Sequence, residues 1–169
     1  MSTVYLGLGS NVEARRNIAS GIADLRETFG QVDLSPVYEA PAVGFEGDDF
    51  INLVARVETS MSPLDLKHYL HELEDRHGRD RSGPKFSDRT LDIDILLFDD
   101  LWLVSPLLEI PRDEILTAAH VLRPLADLAP ELQHPVARRS MAELWRDFSG
   151  KDAGLQIIEL QETGRGGSR

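Results

Sequence analysis

The segment DRTLDIDILLF, residues 88–98, alternates in a way that predicts a β-strand over 90–98. Alternate side chains of a strand point to opposite faces, so its faces are Leu91, Ile93, Ile95 and Leu97 against Asp92, Asp94, Leu96 and Phe98. If the leucine–isoleucine face packs on helices, both carboxylates project from the opposite, open face of the sheet. This one strand therefore relates a buried core to a polar surface.

The segments upstream of this strand predict a series of strands and helices of which it is the last element. The periodicities predict a strand over 2–10, a helix over 12–29, strands over 32–40 and 50–59, and a helix from Ser62-Pro63 to Gly78. Ser10 and Glu13 are spaced as a capping box for the first helix, and Pro36 favours an edge strand. The order strand–helix–strand–strand–helix–strand predicts an α+β, ferredoxin-like βαββαβ core: an antiparallel sheet with both helices on one face.

The remaining residues predict C-terminal additions to this core. They are one or two short strands within 101–111, short helices around 112–118 and 122–129, a helix over 140–149 and a strand over 155–161. Since no linker interrupts the pattern, we expect a single domain over residues 1–160. The tail, 161–169, is expected to be disordered.

Composition excludes several classes of protein and of site. The 169 residues contain no cysteine, which excludes disulfides and thiolate zinc sites. A net charge of −11 disfavours non-specific nucleic-acid binding. The N-terminal segment has no signal-peptide pattern, and no apolar run reaches the roughly 18 residues of a membrane span. We expect a cytoplasmic monomer that binds small molecules, with neither nucleic acid nor membrane as a partner.

The two aspartates are candidates for binding a cation. Carboxylates at i and i+2 of a strand can converge on Mg²⁺, which proteins hold through one or two carboxylates plus substrate phosphates. The same strand parity places Phe50, Asn52 and the side-chain-free Gly7 and Gly9 on the aspartate face, where a flat ligand could lie close to the sheet. The alternative is that the carboxylates are merely solvated on an open face.

A basic cluster directly precedes the aspartate strand. The segment DRHGRDRSGPKFSDR, 75–89, carries Arg76, Arg79, Arg81, Lys85 and Arg89. Arginine suits phosphate because its planar guanidinium bonds two oxygens at once. Taken alone, such a loop is more often just solvated. Followed by an aspartate pair, it predicts half of a metal–triphosphate site.

Five segments occur in an order that resembles a known family. They are VYLGLGSN, FINLVARVET, GRDR, DRTLDIDILLF and VLRPLADLAPE, within residues 3–135. The chain resembles the 6-hydroxymethyl-7,8-dihydropterin pyrophosphokinase family of folate biosynthesis. The resemblance implies transfer of the β,γ-pyrophosphate of ATP to the hydroxymethyl group of the pterin, leaving AMP, with two Mg²⁺ ions and ATP as co-substrate.

The resemblance also implies roles for individual residues. The arginines implied to act on the phosphates during transfer are Arg79 and Arg89, and the implied metal ligands are Asp92 and Asp94. The implied nucleotide contacts are His71, Glu74, Arg81, Lys85, Arg112 and, through its backbone, Ile95. The implied pterin contacts are Pro41, Val43, Phe50, Asn52 and His120.

Four positions depart from the family's usual pattern. Arg112 stands where a histidine is usual, Ala118 where an arginine is usual, His120 where a phenylalanine stacks on the pterin, and Phe86 where a tryptophan is usual. The metal and phosphate half of the pattern is intact, whereas the pterin and nucleotide edges are altered. Two alternatives therefore stay open: a related transferase acting on another pterin-like substrate, and a non-catalytic nucleotide- or pterin-binding module.

Overall fold

The computed structural model describes residues 1–42, 46–78, 90–150 and 154–160. Eight strands and five helices lie within these ranges. In chain order they are β1 Ser2–Ser10, α1 Ala14–Phe29, β2 Asp33–Leu34, β3 Val37–Ala40, β4 Phe50–Thr59, α2 Pro63–Arg76, β5 Asp92–Phe98, β6 Leu103–Val104, β7 Glu109–Ile110, α3 Glu114–Thr117, α4 Ala119–Leu128, α5 Met141–Arg146 and β8 Gln156–Ile158. The tail expected to be disordered, 161–169, lies outside the described residues.

The main sheet is antiparallel, with strand order β5-β1-β4-β3-β8 and with β2 also paired to β4. β2 and β3 together form the second strand of the predicted βαββαβ pattern, so the α+β ferredoxin-like fold is confirmed. Ser35 bridges the break before Pro36, because its Oγ accepts a hydrogen bond from the backbone N–H of Val54 at 2.9 Å. The predicted edge position is wrong for β3, since β8 pairs with its outer side.

The predicted helix-side core is present. α1 and α2 pack on the same face of the sheet, where their apolar stripes meet alternate residues of β1, β4 and β5. Ile22 and Leu70 represent the helices, and Leu6, Leu53 and Ile93 represent the strands. All five are at most 3% exposed. The alternation read from the sequence thus places the correct face of each strand against the helices.

The opposite face of the sheet is not open as predicted. α3, α4 and α5 lie across it and build a second core, in which Leu122 and Leu125 of α4 pack with Tyr5 of β1 and Val54 of β4. Strand alternation shows which residues share a face, but it does not show what covers that face. The predicted helices at 112–118, 122–129 and 140–149 form this cover, with α4 beginning at Ala119.

Strand β5 departs from strict alternation near its end. The register between β1 and β5 shifts between Tyr5 and Leu6, which inserts an extra residue into β5. As a result Leu97 joins the second core and Phe98 joins the helix-side core, the reverse of the predicted faces. The aspartates precede the shift, so their predicted face is unaffected.

The two helix starts predicted upstream have different outcomes. The Ser62 Oγ accepts a hydrogen bond from the backbone N–H of Asp65 at 3.2 Å and caps α2 as expected. The predicted capping box of α1 is wrong, because Glu13 is the N-cap and makes no capping side-chain bond. The Ser10 hydroxyl instead donates to the carbonyl of Thr90 at 2.5 Å, which joins the end of β1 to the start of β5. In the described part of the chain, no helix has the length and apolarity needed to cross a membrane.

Candidate active site

The centre of the candidate site is one row of residues across four strands. Tyr38 of β3 lies opposite Asn52 of β4, Asn52 lies opposite Gly9 of β1, and Gly9 lies opposite Asp92 of β5. Residues opposite each other in antiparallel strands point to the same face. A Cβ atom on Gly9 would lie 2.8 Å from Asn52 Oδ1, so only glycine leaves the Asn52 amide where it is. The row therefore brings an amide and a carboxylate to either side of a bare stretch of backbone.

A second carboxylate lies two residues further along β5. Asp94 pairs with Gly7, and its side chain is 34% exposed. Burial and, after it, the neighbouring Asp92 carboxylate raise the pKa of Asp94 to about 7, against the opposing effect of the Arg112 guanidinium. The two carboxylates thus repel each other in a partly desolvated site. A bound cation would relieve this repulsion.

Arg112 supplies a positive charge beside this pair. Its Nη1 lies 3.9 Å from Asp94 Oδ1, and its Nε and Nη2 donate to Glu114 Oε1 at 3.2 and 2.8 Å. The backbone N–H of Arg112 donates to the carbonyl of Leu96 at 3.0 Å, which attaches this segment to the bulged part of β5. The guanidinium is therefore held between two carboxylates at the edge of the row.

The donor set fits Mg²⁺ shared with a substrate. Across the described ranges no group of three or more histidine, aspartate or glutamate side chains is arranged to hold a metal ion. Mg²⁺ does not require such a group, since one or two carboxylates with substrate phosphates and water suffice. Asp92 and Asp94 supply that number from one strand.

Two of the expected nucleotide contacts belong to the framework of the site. Glu74 is 2% exposed, and its Oε2 accepts a hydrogen bond from the backbone N–H of Ile93 at 2.7 Å, so its carboxylate holds α2 against β5. Ile95 is 5% exposed and packs in the helix-side core, which leaves only its backbone for the nucleotide contact that the resemblance implies. His71 is half-buried on α2.

The expected pterin contacts come from three elements. Pro41 is exposed just after β3, Phe50 is half-buried at the start of β4, and Asn52 is 9% exposed on the same face of β4 as Phe50. His120 is half-buried in the first turn of α4. Burial lowers the pKa of His120, while the Glu114 carboxylate acts in the opposite direction. His120 is therefore near the carboxylate that holds Arg112.

Five predicted site residues lie outside the described residues. They are Val43, Arg79, Arg81, Lys85 and Arg89. Their roles stay predictions.

Sequence reasoning did not single out three residues that shape the site. Asn11 is 3% exposed, and its Nδ2 donates to the carbonyl of Asp48 at 3.1 Å, so it joins the end of β1 to the residues before β4. Glu114 holds Arg112, and Tyr38 completes the central row. The sequence signal for Asn11 was its place directly after the Gly-x-Gly-Ser end of a strand. Tyr38 had no local signal, because its contacts join distant elements. Glu114 contacts Arg112 two residues away, but that spacing does not indicate that Arg112 lies beside Asp94.

A family model described as 7,8-dihydro-6-hydroxymethylpterin-pyrophosphokinase (HPPK) matches residues 5–130. The chain belongs to this family. The resemblance drawn from the five sequence segments is thereby confirmed, and the aspartates, Asn52, Arg112 and His120 all lie within the matched range.

Curated HPPK relatives match over most of their length. The 2-amino-4-hydroxy-6-hydroxymethyldihydropteridine pyrophosphokinase of Aquifex aeolicus is 37% identical over 145 residues, covering 85% of this chain and 90% of the relative. The protein of the same name from Pseudomonas aeruginosa is 39% identical over 139 residues, covering 80% and 85%.

Solved HPPK structures share the fold. A crystal structure of Plasmodium falciparum HPPK-DHPS, wild type with pterin and p-hydroxybenzoate, matches with a TM-score of 0.67 at 17% identity. The match covers 86% of this chain and 42% of that one, so the chain spans less than half of the larger protein.

Three of the four positions expected to depart from the family pattern lie in one segment, and the fourth, Phe86, lies outside the described residues. Arg112 is bonded to Glu114, and the Glu114 carboxylate also acts electrostatically on His120. Ala118 is the residue between α3 and α4 and precedes His120 by two positions. Arg112, Ala118 and His120 thus lie together in segment 112–120, separate from the strands that carry the aspartates and Asn52.

Proposed function

We propose that this protein transfers the β,γ-pyrophosphate of ATP to the hydroxymethyl group of 6-hydroxymethyl-7,8-dihydropterin in folate biosynthesis. The hydroxyl oxygen of the pterin attacks the β-phosphorus and loses its proton. The bond from the β-phosphorus to the oxygen that bridges the α-phosphorus breaks, and AMP leaves. The observation that carries the proposal is the Asp92–Asp94 pair beside Arg112 and Asn52 in a chain of the HPPK family.

Asp92 and Asp94 are proposed to hold two Mg²⁺ ions together with the triphosphate. Bound Mg²⁺ would neutralise charge on the phosphate oxygens and align the reacting atoms. The proposal is supported by the raised pKa of Asp94, because the repulsion and burial that raise it make a cation favourable at this place. Both carboxylates come from consecutive same-face positions of β5 in its pairing with β1, so the strand fixes their separation.

Arg112 is proposed to bind the nucleotide phosphates. Glu114 holds the guanidinium through two hydrogen bonds to one carboxylate oxygen, which orients its remaining N–H groups. Arg79 and Arg89 are proposed to stabilise the charge that develops on the moving pyrophosphate, and Arg81 and Lys85 to bind the nucleotide. In such a reaction the protein contributes mainly by positioning and by charge stabilisation.

The pterin is proposed to lie over the bare backbone at Gly9. Asn52 would hydrogen-bond the edge of its ring, and Phe50 and His120 would flank its faces. Asn52 supports this role because its amide is nearly buried and directly borders the space that the missing Gly9 side chain leaves. A buried amide rejects ligands that lack a matching donor or acceptor, which gives selectivity for a pterin edge.

A product assay tests the reaction. The protein with ATP, Mg²⁺ and the pterin alcohol should produce AMP and the pterin pyrophosphate in equal amounts, and Asp92→Asn should reduce turnover by at least 100-fold, about 2.7 kcal/mol of transition-state stabilisation. Asp100→Asn is the matched control, because Asp100 is exposed just after β5 and outside the row. Nucleotide binding without AMP formation would favour the non-catalytic module.

A second candidate substrate is favoured by His120. An imidazole in place of a phenyl ring adds a polar nitrogen to the proposed pterin wall. AMP formation with a different pterin-like alcohol, but not with 6-hydroxymethyl-7,8-dihydropterin, would identify the protein as a related transferase.

A further inference from the structure

A cluster of three side chains joins strand β3 to helix α4 beside the proposed pterin pocket. Tyr38 is 3% exposed, and its hydroxyl donates a hydrogen bond to Asp127 Oδ2. Burial and, after it, the hydrogen bond to Asp127 together raise the pKa of Tyr38 to about 12, so the phenol remains a donor at all ordinary pH values. None of the roles implied by the family resemblance falls on this pair.

Arg123 completes the cluster. Its Nε lies 3.4 Å from Asp127 Oδ1, and its guanidinium carbon lies 5.7 Å from the centre of the Tyr38 ring and 5.2 Å from that of Trp145. The arginine thus balances the charge of Asp127 and extends the connection from α4 to α5. We call Tyr38, Arg123 and Asp127 the Tyr38 cluster.

The positions of these residues relate the cluster to both sides of the proposed pocket. Tyr38 lies directly opposite Asn52 in the sheet, on the same face. On α4, Arg123 and Asp127 follow His120 by three and seven residues, a spacing that puts all three on one side of a helix. Asp127 is about 10 Å from His120 along the helix axis at 1.5 Å per residue. The cluster therefore ties the helix that carries His120 to the strand pair that carries Asn52.

The distance between the two side chains proposed to flank the pterin, Phe50 and His120, matters for a planar ring. A ring stacked on both faces needs carbon–carbon contacts of about 3.5–4.0 Å on each side, and a gap of about 0.5–1 Å already forfeits a quarter to a half of the attraction. The first turn of α4 has no side-chain cap, and α4 begins directly after α3. A contact near the other end of α4 is thus a means of fixing the angle and distance at which the helix meets the sheet.

We propose that the Tyr38 cluster sets the width of the pterin pocket, with Tyr38 and Asp127 as positioning residues that touch neither substrate. The pterin part of this inference rests on the proposed function. The structural part, that the cluster fixes His120 relative to the sheet, does not.

Tyr38→Phe is the direct test, because it removes only the hydroxyl. Tyr69→Phe is the matched control: the Tyr69 hydroxyl lies 2.6 Å from Thr28 Oγ1 and joins α1 to α2 on the other side of the sheet. We expect Tyr38→Phe to raise the KM for the pterin about 5–10-fold, with kcat and the KM for ATP changed less than twofold, because one stacking wall loosens while the phosphate site stays. Tyr69→Phe should change none of the three.

A second readout needs no substrate. The imidazole NMR titration of His120, assigned with His120→Gln, should shift in Tyr38→Phe toward the ordinary histidine value and should not shift in Tyr69→Phe. Asp127→Asn keeps an acceptor oxygen for the Tyr38 hydroxyl and removes the charge, so it should move the pterin KM and the His120 titration in the same direction by a smaller amount.

The outcomes separate the two proposals. If the His120 titration moves as expected but neither parent nor variant uses the pterin, the proposed substrate is wrong and the positioning link stands. If parent activity is confirmed but Tyr38→Phe and Asp127→Asn leave both the pterin KM and the His120 titration at parent values, the cluster merely adds stability and the inference is overturned.

Discussion

Asp94 carries a half-buried carboxylate beside Asp92 and 3.9 Å from Arg112. Its pKa is raised from 3.8 to about 7, first by burial and then by Asp92. Between these two values the folded chain binds more protons than the unfolded chain, so the free energy of unfolding falls as pH rises from about 4 to 7. The residue proposed to bind metal therefore destabilises the metal-free protein at neutral pH.

We expect Asp94→Asn to stabilise the metal-free protein and to abolish turnover. The rise in the pKa of Asp94 from 3.8 to about 7 corresponds to roughly 4 kcal/mol, which we reduce to about 1–2 kcal/mol because 34% of the side chain is exposed to screening solvent. With EDTA present, the variant should melt a few degrees above the parent at pH 8, and the difference should vanish toward pH 4.

Thermal melts of parent, Asp94→Asn and Asp100→Asn across pH 4–8 provide the measurement. The Asp100 variant should follow the parent at every pH, since that exposed side chain lies outside the row. A constant difference between Asp94→Asn and parent over the whole range would show that the stabilisation does not come from ionisation of Asp94.

His120 gives a prediction about pterin binding. Burial lowers the pKa of His120, so the ring is neutral at pH 7, and a pterin stacked on it would make protonation costlier still. Parent affinity for the pterin should therefore weaken as pH falls from 7.5 to 5.5. His120→Phe should bind the pterin equally or more tightly and should show no such dependence.

Calorimetry of pterin binding in the presence of a non-hydrolysable ATP analogue measures this. The exposed His68 of α2 offers the control, and His68→Phe should keep the pH dependence of the parent. If His120→Phe loses the pterin, or retains the parent's pH profile, then His120 does not stack and the altered-substrate alternative gains support.

At the scale of elements, one sequence pattern occurs twice with different results. Ser10 and Glu13 have the Ser-x-x-Glu spacing of a capping box, and so do Ser140 and Glu143 at α5. Only the second pair forms it: the backbone N–H of Ser140 donates to Glu143 Oε1 at 3.0 Å, and that of Glu143 donates to Ser140 Oγ at 3.1 Å. At α1 a tertiary contact of Ser10 with Thr90 prevails over the local pattern.

Substitution of Glu13 and of Glu143 should have different effects on stability, because only Glu143 takes part in a capping box. Glu143→Ala should lower the midpoint of urea unfolding, and Glu13→Ala should leave it unchanged, because the exposed Glu13 forms a solvent-screened ion pair with the exposed Arg16. Ser140→Ala should cost about 1 kcal/mol, the usual value for a lost N-cap. Equal effects of the two glutamate variants would contradict the assignment.

The sequence predicted which segments form strands and helices better than it predicted what pairs with or packs on each of them. Alternation and helical spacing predicted the strands and helices of the βαββαβ core, because the apolar residues that recur within each element pack in the same helix-side core. The face of Leu97 and Phe98 could not be predicted, since the bulge in β5 depends on its pairing with β1. The pairing of β8 with β3 was missed for the same reason, because nothing within either segment encodes it.

In the candidate site, the pattern of Asp92 and Asp94 was local and therefore visible in the sequence. The position of Arg112 against Asp94 and Glu114 depends on how the segment after β7 returns to Leu96, which only the folded chain shows. The same holds for Tyr38 and Asp127, which are 89 residues apart.

At the scale of the whole molecule, one sheet serves two cores. Ile93 and Ile95 of β5 face α1 and α2, while Leu96 and Leu97 of the same strand face α3–α5. Each layer covers the face of the sheet that the other leaves exposed. The candidate site lies on the face with the later helices, so the cover that the sequence did not predict also carries His120, Arg123 and Asp127.

A sheet shared by two cores should unfold as one unit, which would support the single domain predicted over 1–160. Leu70→Ala in the helix-side core and Leu125→Ala in the second core each remove a side chain that is at most 1% exposed, and each should cost about 2–5 kcal/mol.

Trp145 packs against the second core, and Trp102, the other tryptophan, is 70% exposed, so a Trp102→Phe background makes fluorescence a probe of that layer. In this background, fluorescence and far-UV circular dichroism should give the same urea midpoint for parent and both variants. A fluorescence midpoint clearly below the dichroism midpoint in Leu125→Ala would show that α3–α5 unfold separately from the sheet, and the single-domain prediction would then be wrong.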